Sequence, residues 1–156
     1  MPQTDEMAYM ETEGACANCG FKDTHALTIH HLDPTSPKDE SYDNKLVLCH
    51  NCHQCHHQGK GPSSEELASI KKRLIVKTLT TQGLNALKVA NRHAGVSASP
   101  FLVNHLVEYG YWQHRENTAW YVENDENDPI KDGIPTEAFY GISEKGRTLL
   151  EKWKLK

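Results

Sequence analysis

Two Cys-x-x-Cys pairs in the first third of the chain constrain its fold more than any other feature. Cys16 and Cys19 form one pair and Cys49 and Cys52 form the other, with 29 residues between them. Each pair can offer two thiolates to one tetrahedral ion, and four sulfur ligands make a closed structural zinc site. A redox motif would not need a second copy, and two pairs within 37 residues make chance a poor explanation. The spacing therefore predicts a small domain held together by zinc.

The histidines cluster in the same region of the chain. Of the 10 His among 156 residues, seven lie before residue 58, and so do all 5 Cys. The first residues are polar and acidic rather than signal-like, and no apolar run reaches the ~18 residues of a membrane span. We therefore expect a cytoplasmic protein without membrane contact. In an intracellular chain, clustered Cys residues indicate metal binding rather than disulfides.

The net charge of −4 hides an uneven distribution along the chain. Residues 1–62 carry a formal charge of −5, residues 63–115 carry +4 and residues 116–156 carry −3. The acidic total excludes a basic tail protein, whereas the basic middle segment is the part suited to a polyanionic partner.

A breaker stretch, Gln-Gly-Lys-Gly-Pro at residues 58–62, predicts a linker between two domains, 1–60 and 63–156. Directly after it, Ser63 and Glu66 have the spacing of a capping box, which predicts the start of a helix. The helix is expected to bury one apolar face and to keep its lysines elsewhere. The apolar face comprises Leu67, Ile70, Leu74 and Ile75, and the lysines are Lys71, Lys72 and Lys77.

Two more helices and then strands are predicted beyond this point. Residues 84–90 form the second helix, which stops near Gly95, and Ser99 with Pro100 suits the N-cap and first position of the third, at 100–109. The remaining predicted elements are short strands at 111–112, 119–122 and 139–142, a polar loop at 123–136, and a closing helix capped by Ser143.

The histidines around the second Cys pair have the spacing of a second metal site. His30 ends a predicted strand, while His53 and His57 are four residues apart and share one face of a predicted helix. Together they could provide three neutral nitrogen ligands and leave positions open for water and substrate. Their neighbours have alternative roles. His56 could compete with His57 as a ligand but ranks second, Cys55 is expected to be a packed thiol, and His50 is expected to face solvent or at best to contact a phosphate.

His31, Asn44 and His53 resemble the signature of HNH (ββα-metal) endonucleases, and the paired Cys knuckles resemble the zinc-stapled branch of that family. The resemblance covers residues 13–60 and implies a small ββα-metal domain. The H-x-x-x-H spacing that ends at His57 is also similar to the metal-binding helix of colicin-type DNases.

The resemblance implies a role for each residue of the head. His31 would be the general base, Asn44 would orient it, and His30, His53 and His57 would hold one catalytic divalent ion. The products would carry a 5′-phosphate and a 3′-hydroxyl. Many members of the family have Asp where this chain has His30. Because an all-imidazole site suits Mg²⁺ poorly, we expect more activity with Mn²⁺, Co²⁺ or Ni²⁺ than with Mg²⁺.

The second half of the chain resembles a winged helix-turn-helix, so the fold class is predicted to be α+β with a C-terminal winged-helix domain. The helix at 100–109 would enter the major groove and the loop at 123–138 would be the wing. The wing is strongly acidic, and we expect it to stay off the DNA or to engage another protein. The predicted DNA contacts are Ser97, Ser99, Asn104 and His105, with Lys88, Arg92 and Arg115 for phosphate. The alternative is that this domain does not bind DNA and serves only for packing within the protein or for dimerisation.

These patterns predict a metal-dependent endonuclease acting on double-stranded DNA, bacterial or phage-encoded, that nicks as a monomer and could cut both strands as a homodimer. One alternative is a non-catalytic zinc-finger and winged-helix DNA-binding regulator, which would need the four Cys but not His31, Asn44 or His57. Another is a ribonuclease or toxin-like nuclease without sequence preference.

Overall fold

A computed structural model describes residues 4–35, 39–121 and 134–155 of the chain. Its described residues form a mixed α+β protein with five helices and two small antiparallel sheets. They divide into two compact units, with the boundary between Thr78 and Leu79. The linker predicted at residues 58–62 therefore lies inside the first unit, and the helix that follows it packs there.

The first unit is built around a two-stranded antiparallel sheet. Its strands pair with Leu27 opposite Cys49 and His31 opposite Lys45. Its elements are α1 (Thr4–Glu11), β1 (Leu27–His31), β2 (Lys45–Cys49), α2 (His50–His57) and the beginning of α3 (Ser64–Arg92). The strand predicted to end at the two His residues is confirmed by β1, whereas α1 has no counterpart among the predicted elements.

Strand β2 forms the core of the first unit. Its central residues Leu46, Val47 and Leu48 are fully buried, and so is Leu67 from the first turn of α3. The predicted capping box at the start of α3 is confirmed, because Ser63 and Glu66 exchange hydrogen bonds of 2.7 and 3.2 Å between side chain and backbone N–H. Burial of the helix face at Leu67 explains why the compact unit continues past residue 60.

A buried ion pair joins α3 to α1. Nζ of Lys71 lies 2.5 Å from Oε1 of Glu11, and neither side chain is exposed. The hydroxyl of Tyr42 donates a hydrogen bond to Glu11, and Nζ of Lys71 sits 3.7 Å from the centre of the Tyr42 ring. Burial raises the pKa of Glu11, against the attraction of Lys71. The prediction that Lys71 lies off the buried face of its helix is wrong, because Glu11 and Tyr42 supply its partners.

The helical stretch of α3 is two helices that meet at Thr80. The backbone of Thr80, with φ of 61° and ψ of 164°, interrupts the helix close to the boundary between the units. The prediction of a separate second helix after the first is therefore confirmed. The second unit contains this second part of α3, β3 (Val96–Ala98), α4 (Pro100–Glu108), β4 (Trp112–Tyr121), β5 (Ile134–Ile142) and α5 (Glu144–Lys152).

The sheet of the second unit has the strand order β3-β5-β4. Since β3 and β4 both pair antiparallel to β5, they run parallel to each other, and α4 connects them. The core beneath contains the stacked rings of Trp112 and Tyr140, with centroids 4.9 Å apart. Other members of this core are Leu87, Val103, Leu106, Leu149 and Leu150.

Three details of this unit extend or correct the predictions. Val96–Ala98, expected to lead into the third helix, forms a strand instead because it pairs with β5. β4 is continuous where two separate aromatic runs were predicted, with irregular register around Arg115. Ser143 caps α5 as predicted, since its hydroxyl oxygen accepts a hydrogen bond from the N–H of Gly146 at 3.1 Å.

The predicted wing falls mostly outside the described residues, which omit 122–133. The acidic residues expected there, Glu123, Asp125, Glu126, Asp128 and Asp132, therefore lie outside the described residues. In the described part of the chain, none of the helices has the length and apolar character that a bilayer crossing requires.

Candidate metal centres

The four predicted zinc ligands lie together in the first unit. The Sγ atoms of Cys16, Cys19, Cys49 and Cys52 are within 4.8 Å of one another, and all but Cys19 are buried. Sγ of Cys19 is 3.8 Å from Sγ of Cys49. The cysteines thus form a cluster that could bind a zinc ion through four sulfur atoms.

Local backbone structure shapes both knuckles of this Cys cluster. In the first, the N–H of Cys16 donates to the carbonyl of Phe21 at 2.8 Å, and the turn closes through Gly20, whose φ is +76°. In the second, Sγ of Cys49 caps α2 by accepting from the N–H of Cys52 at 3.4 Å. The second knuckle thus lies where β2 ends and α2 begins.

Two thiols of this cluster have pKa values that are shifted in opposite directions. Burial alone would raise the pKa of Cys16, but backbone hydrogen bonds at Cys19 and Cys49 outweigh it and lower the pKa to about 7. Burial raises the pKa of Cys52 to about 12, against a hydrogen bond from Asn18. Four thiolates cannot share this space without a positive charge, which a Zn²⁺ ion would supply.

Three histidines form a second cluster at the other end of the sheet. The ligand nitrogens of His30, His53 and His57 lie within 4.8 Å of one another. Nε2 of His53 is 3.1 Å from Nε2 of His57, as their spacing along α2 predicts. His30 is buried on β1, whereas His57 is exposed, so the cluster is closed on one side and open on the other.

The His cluster opens into a cavity of about 400 Å³. It is lined by Ile29, His30, His31, Leu32, Pro34, His53, His56, His57 and Ser64. The three sequence-predicted ligands and the predicted general base therefore share one accessible space. A cavity of this kind leaves room for solvent and for part of a ligand beside the imidazoles.

Two histidines of this cluster, His30 and His53, favour their neutral form. Burial, followed by the neighbouring imidazoles of His56, His53 and His57, lowers the pKa of His30 to about 4. Burial and His57 also lower the pKa of His53. Neutral imidazole is the form that coordinates a cation, so the donor set fits a divalent metal that accepts nitrogen ligands.

The neighbours of the cluster occupy the places that the sequence suggested. Nδ1 of His56 is 2.7 Å from the carbonyl oxygen of Pro62, so one of its ring nitrogens is engaged by the backbone. Cys55 lies outside the Cys cluster and is partly buried, and His50 is exposed. That contact leaves Nε2 of His56 free, but the group whose ligand nitrogens lie within 4.8 Å of one another contains His57 and not His56.

Asn44 fixes the loop that follows His31. Its side-chain oxygen accepts from the N–H of Asp33 at 2.8 Å, and its side-chain amide donates to the carbonyl of Asp39 at 3.1 Å. Its backbone carbonyl accepts from the N–H of Leu32 at 2.9 Å. Asn44 therefore ties both ends of this loop to the start of β2.

Sequence reasoning missed two residues beside His31. Oε1 of Glu40 lies 3.3 Å from Nε2 of His31, and Oε2 of Glu40 lies 2.5 Å from Nζ of Lys45. Lys45 is the one charged residue in the otherwise apolar β2, and it stands opposite His31 in the sheet. A correct prediction of the strand pairing would have placed Lys45 beside His31. Glu40 lies in a loop, and no pattern in the sequence indicates that it contacts His31.

The predicted DNA contacts of the second unit fall into three groups. Arg92, Ser97, Asn104 and Arg115 are exposed, while Lys88 and Ser99 are half-buried. His105 differs, because its Nε2 lies 3.1 Å from the carbonyl oxygen of Leu79, which directs the ring toward α3. Sequence reasoning also missed two exposed apolar side chains in the first turn of α4, Phe101 and Leu102.

Comparison of the chain with models of protein families, with curated proteins and with solved structures finds no match.

Proposed function

We propose that the protein is a metal-dependent DNA endonuclease of the HNH type. The observation that carries the proposal is the convergence of His30, His53 and His57 on one open cavity that His31 also lines. The sheet of β1 and β2 followed by α2 is the order of elements that the ββα-metal resemblance implies. The resemblance to that family and this arrangement of imidazoles support the same chemistry.

The proposed reaction is attack of water on a phosphodiester phosphorus. A divalent ion held by the three imidazoles would stabilise the developing negative charge and the leaving 3′ oxygen. His31 takes the proton from the attacking water, a role that suits an imidazole near neutral pH. Cleavage leaves a 5′-phosphate and a 3′-hydroxyl.

Asn44 would act by holding His31 rather than by contacting the phosphate. Its three hydrogen bonds to the loop fix the chain immediately after His31. A fixed backbone keeps the imidazole within reach of the attacking water, and such positioning accounts for much of the rate that a catalytic base contributes. Loss of Asn44 would therefore lower the rate without removing a reacting group.

The second unit would place the nuclease on double-stranded DNA as a winged helix. Its three-stranded sheet with α4 connecting β3 and β4 supports this, and so do the exposed Arg92 and Arg115. We propose Arg92, Arg115 and Lys88 as phosphate contacts and Ser97, Ser99 and Asn104 as the residues nearest the bases. His105 is the weakest of the proposed contacts because of its bond to the backbone of α3.

The test is cleavage of supercoiled plasmid by the zinc-loaded protein in a panel of Mn²⁺, Co²⁺, Ni²⁺ and Mg²⁺. We expect metal-dependent relaxation that His31→Ala lowers by about 10²–10⁴-fold, the usual contribution of a general base. His25→Ala is the matched control, because His25 is an exposed histidine that lies outside both clusters.

Absence of cleavage by well-folded, zinc-loaded protein in every metal would contradict the proposal and favour the non-catalytic regulator. Cleavage of RNA in preference to DNA would instead favour the ribonuclease. A gel assay on duplex binding over a salt series separates these outcomes, because phosphate contacts make affinity fall steeply with salt.

A further inference from the structure

We propose that Glu40 is a positioning residue for His31. Its carboxylate accepts a hydrogen bond from the Nε2–H of the imidazole, which leaves Nδ1 as the nitrogen that receives the proton of water. This inference rests on the proposed nuclease function. It adds a side-chain carboxylate, held by a buried lysine, to the parts of the site that the family resemblance implies.

The first observation behind the proposal is that Nε2 of His31 needs a hydrogen-bond partner. That atom is buried, and it makes no hydrogen bond of standard geometry within the described part of the chain. Oε1 of Glu40 lies 3.3 Å away, close enough for a small movement to complete the bond. A buried polar nitrogen is costly without a partner, and Glu40 is placed to be that partner. Catalytic hydrogen bonds are often long in the absence of substrate.

Lys45 explains why the Glu40 carboxylate stays beside His31. Nζ of Lys45 contacts Oε2 of Glu40 at 2.5 Å and Oδ1 of Asp5 at 2.5 Å, and only 4% of the lysine side chain is exposed. Burial alone would lower the pKa of Lys45, but the hydrogen bonds that Lys45 donates to Asp5 and Glu40 outweigh it and raise the pKa. The lysine is thus a fixed, permanently charged anchor.

The pairing of the two strands places this anchor next to the base. Lys45 stands directly opposite His31 across β1 and β2, and paired residues project to the same face of a sheet. One carboxylate can therefore bridge the two side chains, with Oε1 on His31 and Oε2 on Lys45. A slip of one strand by one residue would turn its side chain to the opposite face of the sheet and separate Lys45 from His31.

The loop geometry brings Glu40 to this bridge. Asn44 fixes Asp33 on one side of the loop and Asp39, the neighbour of Glu40, on the other. The side chain of Glu40 is itself exposed, so nothing but Lys45 and His31 holds its carboxylate among the contacts described. Lys45 lowers the pKa of Glu40, which keeps the carboxylate ionised and able to accept a hydrogen bond.

The hydrogen bond donated by Nε2 determines which nitrogen of the His31 ring is basic. A neutral imidazole carries one N–H and one lone pair, so a donor bond at Nε2 leaves the lone pair on Nδ1. Without Glu40, both tautomers would be populated, and the fraction with the basic nitrogen toward the water would fall. Residues that orient a functional imidazole in this way are typically worth about 10–100-fold.

The first measurement is single-turnover cleavage of plasmid in Mn²⁺ by Glu40→Ala, Glu40→Gln and the wild type. We expect Glu40→Ala to lower kcat by about 10–100-fold while KM for DNA stays within twofold. Glu40→Gln keeps an oxygen that can accept from Nε2 and should recover part of the loss. Glu13→Ala is the matched control, because Glu13 is also exposed and also pairs with a lysine, Lys77, at 2.6 Å.

The second measurement is the ¹⁵N chemical shifts of the His31 ring, which report its tautomer without any need for activity. We expect the Nε2–H form in the wild type and a mixture in Glu40→Ala. An unchanged tautomer, or an unchanged kcat in Glu40→Ala, would overturn the inference. A weaker affinity for Mn²⁺ in Glu40→Ala would also overturn it, by showing that Glu40 is a metal ligand.

The two measurements separate this inference from the proposed function. If the wild type cleaves no nucleic acid in any metal, the nuclease function fails, and the tautomer shift still decides whether Glu40 orients His31. If the wild type cleaves and Glu40→Ala matches it, the nuclease function stands and the positioning role is wrong.

Discussion

The Cys cluster and the His cluster lie at opposite ends of the same short sheet and contrast in almost every physical property. The sulfur atoms are mostly buried, and there are four of them, the number that a tetrahedral zinc ion takes. The imidazoles number three, and they line a cavity of about 400 Å³. A closed set of ligands can only stabilise the fold, whereas an open set leaves positions where water or a phosphate can bind.

Helix α2 shows how close together these two roles are in sequence. Cys52 belongs to the Cys cluster, and the next residue, His53, belongs to the His cluster. Successive residues on a helix point about 100° apart, so neighbours in sequence can serve different sites. The contrast between the clusters therefore depends on direction and burial rather than on distance along the chain.

The largest expected effect is loss of the zinc ligands. Cys49→Ser should abolish zinc binding and unfold the first unit, because structural zinc contributes about 10–16 kcal/mol in small zinc domains and a typical domain has about 5–15 kcal/mol in total. Zinc content by mass spectrometry and circular dichroism on heating would measure both. Cys55→Ser is the control and should change neither. A folded Cys49→Ser protein would break the view that the Cys cluster holds the fold.

The next effect tests whether stability resides in the Cys cluster alone. Lys71→Met leaves the Glu11 carboxylate buried without its partner and should lower the free energy of unfolding by about 3–5 kcal/mol. The pair Glu11→Gln with Lys71→Met should recover most of this loss. Urea unfolding of the zinc-loaded protein measures it. A loss below about 1 kcal/mol for Lys71→Met, a value typical of exposed pairs, would show that the ion pair is dispensable.

A smaller effect distinguishes His57 from its neighbour. His57→Ala should weaken Mn²⁺ binding and lower plasmid cleavage by about 10²-fold, equivalent to about 2.7 kcal/mol, while the thermal midpoint of the zinc-loaded protein stays unchanged. His56→Ala is the adjacent control. If His56→Ala has the larger effect on Mn²⁺ affinity by calorimetry, the ligand set is His30, His53 and His56.

The smallest effect concerns the choice of metal. The His cluster offers nitrogen alone, so initial rates at equal free metal should be about tenfold higher in Mn²⁺, Co²⁺ or Ni²⁺ than in Mg²⁺. Equal or greater activity in Mg²⁺ alone would show that oxygen ligands, from the substrate or from a residue such as Glu40, complete the site.

The ligand pairs Cys16/Cys19, Cys49/Cys52 and His53/His57 could be predicted from the sequence because the spacing inside each pair is local. Cys-x-x-Cys forms a knuckle in many settings, and residues four apart on a helix share a face whatever surrounds them. The same holds for the caps at Ser63 and Ser143, whose hydrogen bonds span three residues. The structural data agree with each of these predictions.

The residues that escaped prediction depend on contacts between distant parts of the chain. Lys71 is buried because Glu11, 60 positions away in sequence, meets it. α1 has no cap or apolar periodicity strong enough to identify it, and it is held by Lys45 and Lys71 from other elements. Glu40 reaches His31 only through the loop that Asn44 fixes. Patterns within a short window carry none of this information.

The adjacency of Cys52 and His53 has a consequence for how this chain can change. Insertion of a single codon between them would rotate the rest of α2 by about 100° and carry both imidazoles away from His30, while the four cysteines of the Cys cluster kept their places. One small insertion would thus silence the open cluster and spare the closed one. Under the proposed nuclease function, a non-catalytic regulator could arise from such a chain in a single mutational event, with the Cys cluster intact.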